Sequence, residues 1–253
     1  MHNKAAIIGA DGWVGRSMQQ LFPGATLYTP KIGSKEEVNK CNVAFICVPT
    51  PNIGEGKLET WIVEECVEWC QCPLIVIRST INPGTTDHLI DKYQKCIAFQ
   101  PEYLGETPQH PLLDPLDRPF LIIGGYPKQR RDLIDLYTTV YNANVTIRQV
   151  SALEAEVIKL TENRAIAFKV AQCHELYEAC QKANIDYYTV RDAVFGDDPR
   201  FNLWWTFIYP DSLGMNSKCI PKDVYAWKAW AESVGYDPKI TKAILERNKE
   251  WLS

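Results

Sequence analysis

Short apolar runs alternate with helical periodicity over the first 150 residues. The stretch that ends near Leu21 is one such helical segment. Continuous apolar strands separated by helices are typical of a parallel sheet that is covered on both faces. We therefore predict an α/β domain over residues 1–150. The predicted strands lie at 4–8, 25–28, 43–48, 74–77, 97–99 and 120–123.

The pattern becomes helical from Ser151 onward. Ser151 and Glu154 have the spacing of a capping box, and the helical pattern that follows continues without a breaker to about residue 183. Further helical stretches are predicted at 188–195, 223–234 and 238–252. The sequence thus predicts an all-helical second domain over 151–253, built on a long central helix.

Composition and charge exclude several classes of protein. A formal net charge of -4 gives no reason to expect nucleic-acid binding, and no stretch approaches the roughly 20 apolar residues of a membrane span. The N-terminus enters a strand without the pattern of a signal peptide. Nine cysteines, an odd number, favour the reducing cytoplasm. Cys66, Cys70 and Cys72 lack a second ligand pair, so we predict no metal site.

A glycine loop directly follows the first strand and opens a helix. Its sequence is GADGWVG at 9–15, which includes Trp13 and Val14. In this context, a glycine loop lets the backbone approach the pyrophosphate of a dinucleotide at the helix N-terminus. The spacing of the glycines is one residue longer than the usual one, so position rather than pattern carries the prediction. We expect a Rossmann-type sheet that binds a dinucleotide through Gly9, Gly12 and Gly15.

The end of the second strand leaves the choice of cofactor open. An acid that holds the adenosine ribose is expected there, but the segment reads Tyr28, Thr29, Pro30 and Lys31. Without that carboxylate NADP is not excluded, and Lys31 could meet its 2′-phosphate.

Cys219 lies in the most informative segment of the second half, GMNSKCIPKD at 214–223. Lys218 and Lys222 place it in a positive field, which favours the nucleophilic thiolate. Asp223 follows four residues later and can orient a water or a hydroxyl group, while Pro221 stiffens the connection. The alternative is that Cys219 is a small buried hydrophobic residue, as most free cysteines are.

Lys159 and Asn163 lie near the start of the long predicted helix. Because they are four residues apart, they share a face of the helix and could reach one ligand. Spacing alone favours the simpler interpretation, an ordinary solvated face of the helix.

The motifs resemble those of the UDP-glucose/GDP-mannose dehydrogenase family, in the same order and over nearly the whole chain. The segment at 219–223 is similar to the nucleophile motif C-F-P-K-D of that family. The matching segments are VPTP at 48–51, RSTINPGTT at 78–86, PEYLGE at 101–106, EAEVIKLTEN at 154–163, DDPRF at 197–201 and CIPKD at 219–223.

The resemblance implies an activity: two successive hydride transfers from the primary alcohol of a nucleotide sugar such as UDP-glucose to NAD, giving a carboxylate. Covalent capture by the cysteine prevents a reactive aldehyde from escaping. It also implies a homodimer formed through the long helix from about residue 152.

The same resemblance implies roles for individual residues. Cys219 is the expected nucleophile, Lys159 and Asn163 stabilise the oxyanion, Asp223 and Thr80 position water, and Glu102 acts as a general base. Tyr103, Leu104 and Arg200 join Glu102, Lys159, Asn163 and Cys219 in binding the substrate. The expected cofactor contacts are Gly9, Gly12, Trp13, Val14, Gly15, Thr29, Val48, Pro49, Thr50, Ser79, Thr80, Glu106 and Lys222.

The chain departs from the family pattern in two respects. Asn216, Ser217 and Lys218 stand where the family usually has glycines, which puts the shape of the substrate in doubt. The last predicted helix resembles the one that leads into the nucleotide-gripping C-terminal domain of the family, and we expect that domain to be absent here. Loss of remote binding energy lowers turnover as well as affinity.

Two other functions remain open. A two-electron β-hydroxyacid dehydrogenase would share the two-domain organisation and the lysine and asparagine of the long helix, but it would not need Cys219. A catalytically silent dinucleotide-binding protein would keep the fold without the reaction.

Overall fold

A computed structural model describes residues 4–54, 56–105, 110 and 112–253 of the chain. It divides into two compact units, residues 1–159 and 160–253. The boundary between them falls within one long helix, so the sequence-based division at 150/151 stays a prediction. In the described residues there is no helix long and apolar enough to cross a membrane.

Seven strands of the first unit form one sheet within the described residues. In chain order they are β1 Ala5–Ile8, β2 Thr26–Tyr28, β3 Val43–Ile46, β4 Leu74–Ile77, β5 Ile97–Phe99, β6 Phe120–Gly124 and β7 Thr146–Val150. The order across the sheet is β2-β1-β3-β4-β5-β6-β7. A mostly parallel sheet with helices is therefore confirmed.

The helices of the first unit alternate with these strands, and those of the second unit follow one another. They are α1 Trp13–Leu21, α2 Lys35–Val38, α3 Trp61–Trp69, α4 Thr85–Tyr93, α5 Pro127–Tyr137, α6 Ala152–Ala183, α7 Tyr187–Arg191, α8 Ile220–Ser233 and α9 Lys239–Leu252.

The continuous apolar runs are explained by burial on both faces of the sheet. Ala6 and Ile8 of β1 belong to one hydrophobic core, whereas Ala5 and Ile7 belong to the other. Successive side chains of a strand point to opposite faces, so a strand between two cores must be apolar at every position.

One pairing departs from the parallel pattern, because β6 runs antiparallel to β5. A parallel neighbour needs a crossover connection, usually a helix. The described residues between these strands form no helix, so β6 enters the sheet in the opposite direction. Strand β7, at the sheet edge, was not predicted, because only Ile147 and Val150 of its residues are apolar.

Three predicted elements have a boundary that is wrong by more than one residue. Strand β3 ends at Ile46, before Val48. The helix predicted at 188–195 is the short α7, which continues as a π-helical turn over Asp192–Asp197. Helix α8 begins at Ile220, so Pro221 lies in its first turn, where proline is tolerated because the N–H it lacks would have no helical partner. The connection between Cys219 and Asp223 is therefore helical.

The capping box at the start of α6 is confirmed. The hydroxyl of Ser151 accepts the N–H of Glu154, and the Glu154 carboxylate accepts the N–H of Ser151 at 2.7 Å. Two small hydrophobic cores stabilise the second unit. One contains Cys173, Tyr187 and Phe195, and the other contains Met215, Val224 and Leu245.

Candidate active site

Two glycines of the loop after β1 are required by close packing of the chain on itself. Gly9 has a φ of +84°, and a Cβ there would lie 2.4 Å from the carbonyl oxygen of Cys47. A Cβ on Gly15 would lie 2.2 Å from the carbonyl oxygen of Gly9. No side chain fits at either distance, so both positions need glycine for the loop and α1 to pack.

Gly12 has a different environment. A Cβ on Gly12 would meet nothing nearer than the carbonyl oxygen of Gly9, at 3.5 Å, which is an ordinary contact. Gly12 caps the N-terminus of α1 without a side-chain hydrogen bond, and Trp13 and Val14 begin the helix. The N–H groups of a first helical turn favour anions. The loop therefore fits the pyrophosphate of a dinucleotide, with Gly12 leaving room for it.

Side-chain hydroxyls connect the loops that follow β3 and β4. Ser79 donates a hydrogen bond to the carbonyl of Val48, and Thr50 donates one to the carbonyl of Thr80, each at 2.6 Å. Pro49 between them is exposed. These predicted cofactor residues are thus brought together at the carboxyl edge of the sheet, next to the switch between β1 and β3 where ligands of such sheets bind.

The end of β2 carries no acid. Thr29 is buried, and its hydroxyl accepts the backbone N–H of Lys31 at 3.1 Å, while the Lys31 side chain is exposed. The hydroxyl of Thr29 is consequently engaged within the turn, and the exposed Lys31 is the charged residue that follows β2.

Glu102 is the centre of a buried ionic cluster. Its carboxylate accepts hydrogen bonds from the guanidinium groups of Arg78 and Arg118, and from the backbone N–H groups of Tyr103 and Leu104. Burial by itself would raise the pKa of Glu102, but the two guanidinium groups outweigh burial and lower this pKa to about 2. Glu102 is therefore a firmly held carboxylate, and a weak base.

Lys159 lies above the aromatic ring of Tyr103, with Nζ 5.3 Å from the ring centroid. Leu104, beside Tyr103, is half-buried, as is Lys159 itself. The N–H bonds to Glu102 fix the backbone on which Tyr103 stands, so the Glu102 cluster also sets the surface that faces the Lys159 ammonium.

One turn before Lys159, the buried Glu156 caps helix α4. Its carboxylate accepts the N–H of Gly84 at 2.5 Å and the N–H of Thr86 at 2.8 Å. Burial raises the pKa of Glu156 to about 7, although these two bonds act in the opposite direction. Glu156 thereby joins the start of α6 to the segment that carries Thr80, which itself is half-buried.

Cys219 is the N-cap residue of α8 in the second unit. It is half-buried, and its carbonyl accepts the N–H of Asp223 at 3.0 Å. A cysteine at a helix N-terminus is in the field that stabilises a thiolate, because the helix dipole is positive there. Lys218 adds charge beside it in sequence.

Asp223 is buried and receives the side-chain amide of Asn163, with Nδ2 of Asn163 2.6 Å from Oδ2 of Asp223. Lys222 Nζ lies 3.5 Å from the other carboxylate oxygen, Oδ1. Two of the predicted catalytic residues, 60 positions apart in sequence, therefore touch directly. Asn163 keeps a second amide hydrogen for another acceptor.

Arg200, a predicted substrate-binding residue, is not among these contacts. Arg200 is exposed and pairs with Asp198, with Nη2 2.6 Å from Oδ2. Glu106, a predicted cofactor contact, lies outside the described residues. In the described part of the chain, no group of three or more His, Cys, Asp or Glu residues is arranged to hold a metal ion.

Family comparison identifies both halves of the chain. Residues 25–145 match the NAD binding domain of the UDP-glucose/GDP-mannose dehydrogenase family, and residues 153–250 match its central domain. The chain belongs to the UDP-glucose/GDP-mannose dehydrogenase family. Residues 25–145 are thus the NAD binding domain of a family member, and the resemblance found in the motifs is confirmed.

The curated relatives include proteins named for UDP-glucose and proteins named for GDP-mannose. A UDP-glucose 6-dehydrogenase of Rickettsia bellii is 26% identical over 226 residues, which covers 85% of this chain and 51% of the relative. A GDP-mannose 6-dehydrogenase of Pseudomonas aeruginosa is 26% identical over 233 residues, covering 85% and 52%. The chain spans about half the length of the curated relatives it matches.

A solved UDP-glucose dehydrogenase from Pyrobaculum islandicum has a similar fold. It superimposes with a TM-score of 0.82 at 24% identity, covering 99% of this chain and 68% of that one. At this identity the likeness establishes the fold.

Sequence reasoning missed three residues that organise the site. Arg78 stands inside a recognised motif but was given no role, and Arg118 and Glu156 carried no role either. All three are buried residues with ionisable side chains. A buried charged group requires a partner. A charged residue beside an apolar segment is therefore a sign of a buried ion pair, and Arg78, directly after β4, is such a residue.

Proposed function

We propose that this protein is an NAD-dependent nucleotide-sugar dehydrogenase of the UDP-glucose 6-dehydrogenase type. The proposal rests mainly on the position of Cys219 at the N-terminus of α8, one turn before an Asp223 that is bound to Asn163. Membership of the family, and relatives named for UDP-glucose and GDP-mannose, support the substrate class.

The cofactor would be held by the glycine loop and by the loops after β2, β3 and β4. Bound NAD would accept a hydride in each of two oxidations. The first turn of α1 would bind its pyrophosphate, with Gly12 as the point of closest approach. NADP stays open at Thr29 and Lys31, because no carboxylate excludes a 2′-phosphate there.

The reaction uses Cys219 as a covalent nucleophile. The primary alcohol loses a proton and a hydride and becomes an aldehyde, and the Cys219 thiolate adds to the aldehyde carbon to form a thiohemiacetal. Loss of a second hydride gives a thioester. Water then attacks the acyl carbon, the carbon–sulfur bond breaks, and the carboxylate leaves as the thiolate is restored.

The remaining residues stabilise charge and position water. Lys159 and the second amide hydrogen of Asn163 would bind the oxyanion that develops on the reacting carbon, and removing such a donor typically costs about 10²–10³ in turnover. Asp223 and Thr80 would orient the proton-accepting and hydrolytic water.

For Glu102, general-base catalysis stays a prediction. The four donors on its carboxylate favour a positioning role, in which it holds the Tyr103–Leu104 backbone for the substrate. Arg200, whose side chain is exposed, would bind the substrate.

We further propose a homodimer formed through α6 and a cytoplasmic location. The length of α6, 32 residues, supports the homodimer. The odd number of nine cysteines supports the cytoplasmic location. Size-exclusion chromatography with light scattering measures the oligomeric state directly.

The proposed function is tested by the stoichiometry of NADH formation. The purified chain is incubated with NAD and UDP-glucose, GDP-mannose or a UDP-N-acetylhexosamine, and NADH is measured against sugar consumed. Two NADH per sugar are expected, with turnover abolished in Cys219→Ala. Cys96→Ala is the matched control, because Cys96 is also half-buried but lies in the first unit.

Three outcomes would overturn the proposal. One NADH per sugar would indicate a two-electron dehydrogenase, as would full activity of Cys219→Ala. Tight NAD binding without turnover on any of these substrates would indicate a dinucleotide-binding protein that does not catalyse the reaction.

A further inference from the structure

The segment that leads to Cys219 is held at its start by side chains from two helices. His174 of α6 accepts the backbone N–H of Gly214 through Nδ1 at 2.9 Å. Asn248 of α9 binds the next residue twice: Oδ1 accepts the N–H of Met215 at 2.5 Å, and Nδ2 donates to the carbonyl of Met215 at 3.2 Å. His174 and Asn248 are 4% and 6% exposed, so these bonds are shielded from water.

The backbone at this point has little freedom to adopt another conformation. Gly214 has a φ of +92°, and a Cβ there would lie 3.1 Å from Oδ1 of Asn248 and 3.2 Å from side-chain atoms of Trp251 and Leu252. Helix α9 therefore packs directly against a left-handed residue that only glycine adopts readily. Three hydrogen bonds and this close packing fix the position of residues 214–215.

The other end of the segment is the N-terminus of α8. Ser217 accepts the N–H of Ile220 at 3.2 Å, and Cys219 caps the helix. Only three residues, 216–218, separate the fixed Met215 from Cys219. Over so short a distance, displacement of one end moves the other.

We infer that His174 and Asn248 are positioning residues that hold Cys219 at the N-terminus of α8 by fixing the backbone at Gly214 and Met215. This role rests on the proposed function, in which Cys219 is the nucleophile. Neither residue touches the reacting atoms; both act through the 214–219 segment.

The bond to Gly214 makes the arrangement sensitive to protonation of His174. Nδ1 accepts this N–H only when it carries no proton, so the neutral ring must hold its proton on Nε2. Burial lowers the pKa of His174, while Glu178 on the same helix acts weakly in the opposite direction. From α9, Trp251 packs edge-on against the ring, and Arg247 pairs with Glu178 at 2.6 Å. Protonation at low pH would replace an acceptor by a donor that faces another donor.

The experiment measures alkylation of Cys219 by iodoacetamide, followed by peptide mass spectrometry, together with amide hydrogen exchange over 214–219. Neither readout requires dehydrogenase activity, so failure of the proposed function would leave this test intact. The variants are His174→Leu, which removes the acceptor, and His174→Asn, whose Oδ1 occupies nearly the same position and does not titrate.

In His174→Leu we expect the amide hydrogens of Gly214 and Met215 to exchange faster. We expect iodoacetamide to alkylate Cys219 of this variant about tenfold more slowly at pH ~7, because the thiol leaves the helix N-terminus. His174→Asn should restore both. Where the wild type turns over, His174→Leu should lower kcat and leave KM for NAD unchanged. His88→Leu is the control, since His88 is exposed on α4 of the first unit.

If His174→Leu does not fold, the pH dependence of amide exchange in wild type and in His174→Asn provides the test. As the pH falls below 6.5, the ordinary pKa of histidine, wild type should lose amide protection over 214–219 relative to His174→Asn, and the loss should come at a lower pH than for an exposed histidine because burial lowers the pKa of His174. Equal protection in these two proteins throughout, or wild-type alkylation and exchange rates in a folded His174→Leu, would overturn the inference.

Discussion

The side-chain amide of Asn163 donates a hydrogen bond to the carboxylate of Asp223 at 2.6 Å, and both side chains are buried. This bond joins the long helix α6 to the first turn of α8, the helix that Cys219 caps. The bond satisfies one oxygen of the buried Asp223 carboxylate. A buried carboxylate that loses a hydrogen-bond donor lowers the stability of the folded protein.

Removal of this donor should therefore affect both stability and turnover. Asn163→Ala is expected to lower the free energy of unfolding by about 1–3 kcal/mol, because the Asp223 carboxylate stays buried with one partner fewer. Urea denaturation measures the change. The control is Asn202→Ala, which removes bonds from Lys169 and from the N–H of Trp204 and should cost less than Asn163→Ala because both bonds are exposed. Equal losses in both variants would contradict the importance of the Asn163–Asp223 bond.

Substitutions in the glycine loop should separate folding from cofactor binding. Gly12→Ala should leave the melting temperature nearly unchanged, because its Cβ meets nothing closer than 3.5 Å, yet weaken NAD binding by obstructing the pyrophosphate. Gly15→Ala should destabilise the first unit, because its Cβ would lie 2.2 Å from a carbonyl oxygen. Thermal unfolding and NAD titration by calorimetry measure the two effects.

Gly24→Ala is the control for the glycine series, since a Cβ there meets nothing within 4 Å. It should change neither quantity. Unaltered NAD affinity in a folded Gly12→Ala protein would place the cofactor elsewhere.

The Glu102 cluster should dominate the acid stability of the first unit. Glu102→Gln leaves the buried Arg78 and Arg118 without their common carboxylate, and breaking a buried pair in this way typically costs about 3–5 kcal/mol. Glu64→Gln breaks the partly exposed pair with Lys92 and should cost at most about 1 kcal/mol. Urea denaturation at neutral pH compares the two variants.

The difference in unfolding free energy between wild type and Glu102→Gln should depend on pH in one direction. The pKa of Glu102 is about 2 in the folded protein and is ordinarily 4.5, so its stabilising contribution is complete above pH 4.5 and is lost as the pH falls towards 2. The gap between wild type and Glu102→Gln should narrow over that range. A gap that stays constant between pH 4.5 and 3 would show that Glu102 is not held as a charged group.

Glu156 should have the opposite effect on stability. Its pKa is raised from 4.5 to about 7 in the folded protein, so the folded state retains a proton that the unfolded state releases. This group therefore makes the protein less stable as the pH rises from 4.5 to 7, and Glu156→Gln should remove that part of the dependence. Unfolding free energies measured across this window test the prediction.

Glu154→Gln is the matched control, two residues earlier on α6. The pKa of Glu154 is lowered, not raised, by its bonds to Ser151, and glutamine preserves the capping box. The same pH slope in Glu156→Gln and in wild type would mean that Glu156 titrates normally.

The sequence determined the elements whose signals are local. Continuous apolar runs located β1, β3 and β4, the capping box located the start of α6, and motifs at the ends of strands located the loops of the predicted site. These patterns come from residues adjacent in the chain, where the period of hydrophobicity and the chemistry of a cap act directly. The position of Cys219 before a helical segment was readable for the same reason.

Only the tertiary structure decided the partners of buried polar groups. The pairing of Glu102 with Arg78 and Arg118, of Asp223 with Asn163, and of His174 with Gly214 joins residues far apart in sequence. The antiparallel direction of β6 beside β5 was likewise not visible in the apolar pattern of either strand. Such contacts have no sequence period, because each is selected by the need of one buried donor or acceptor for whichever partner the fold brings within reach.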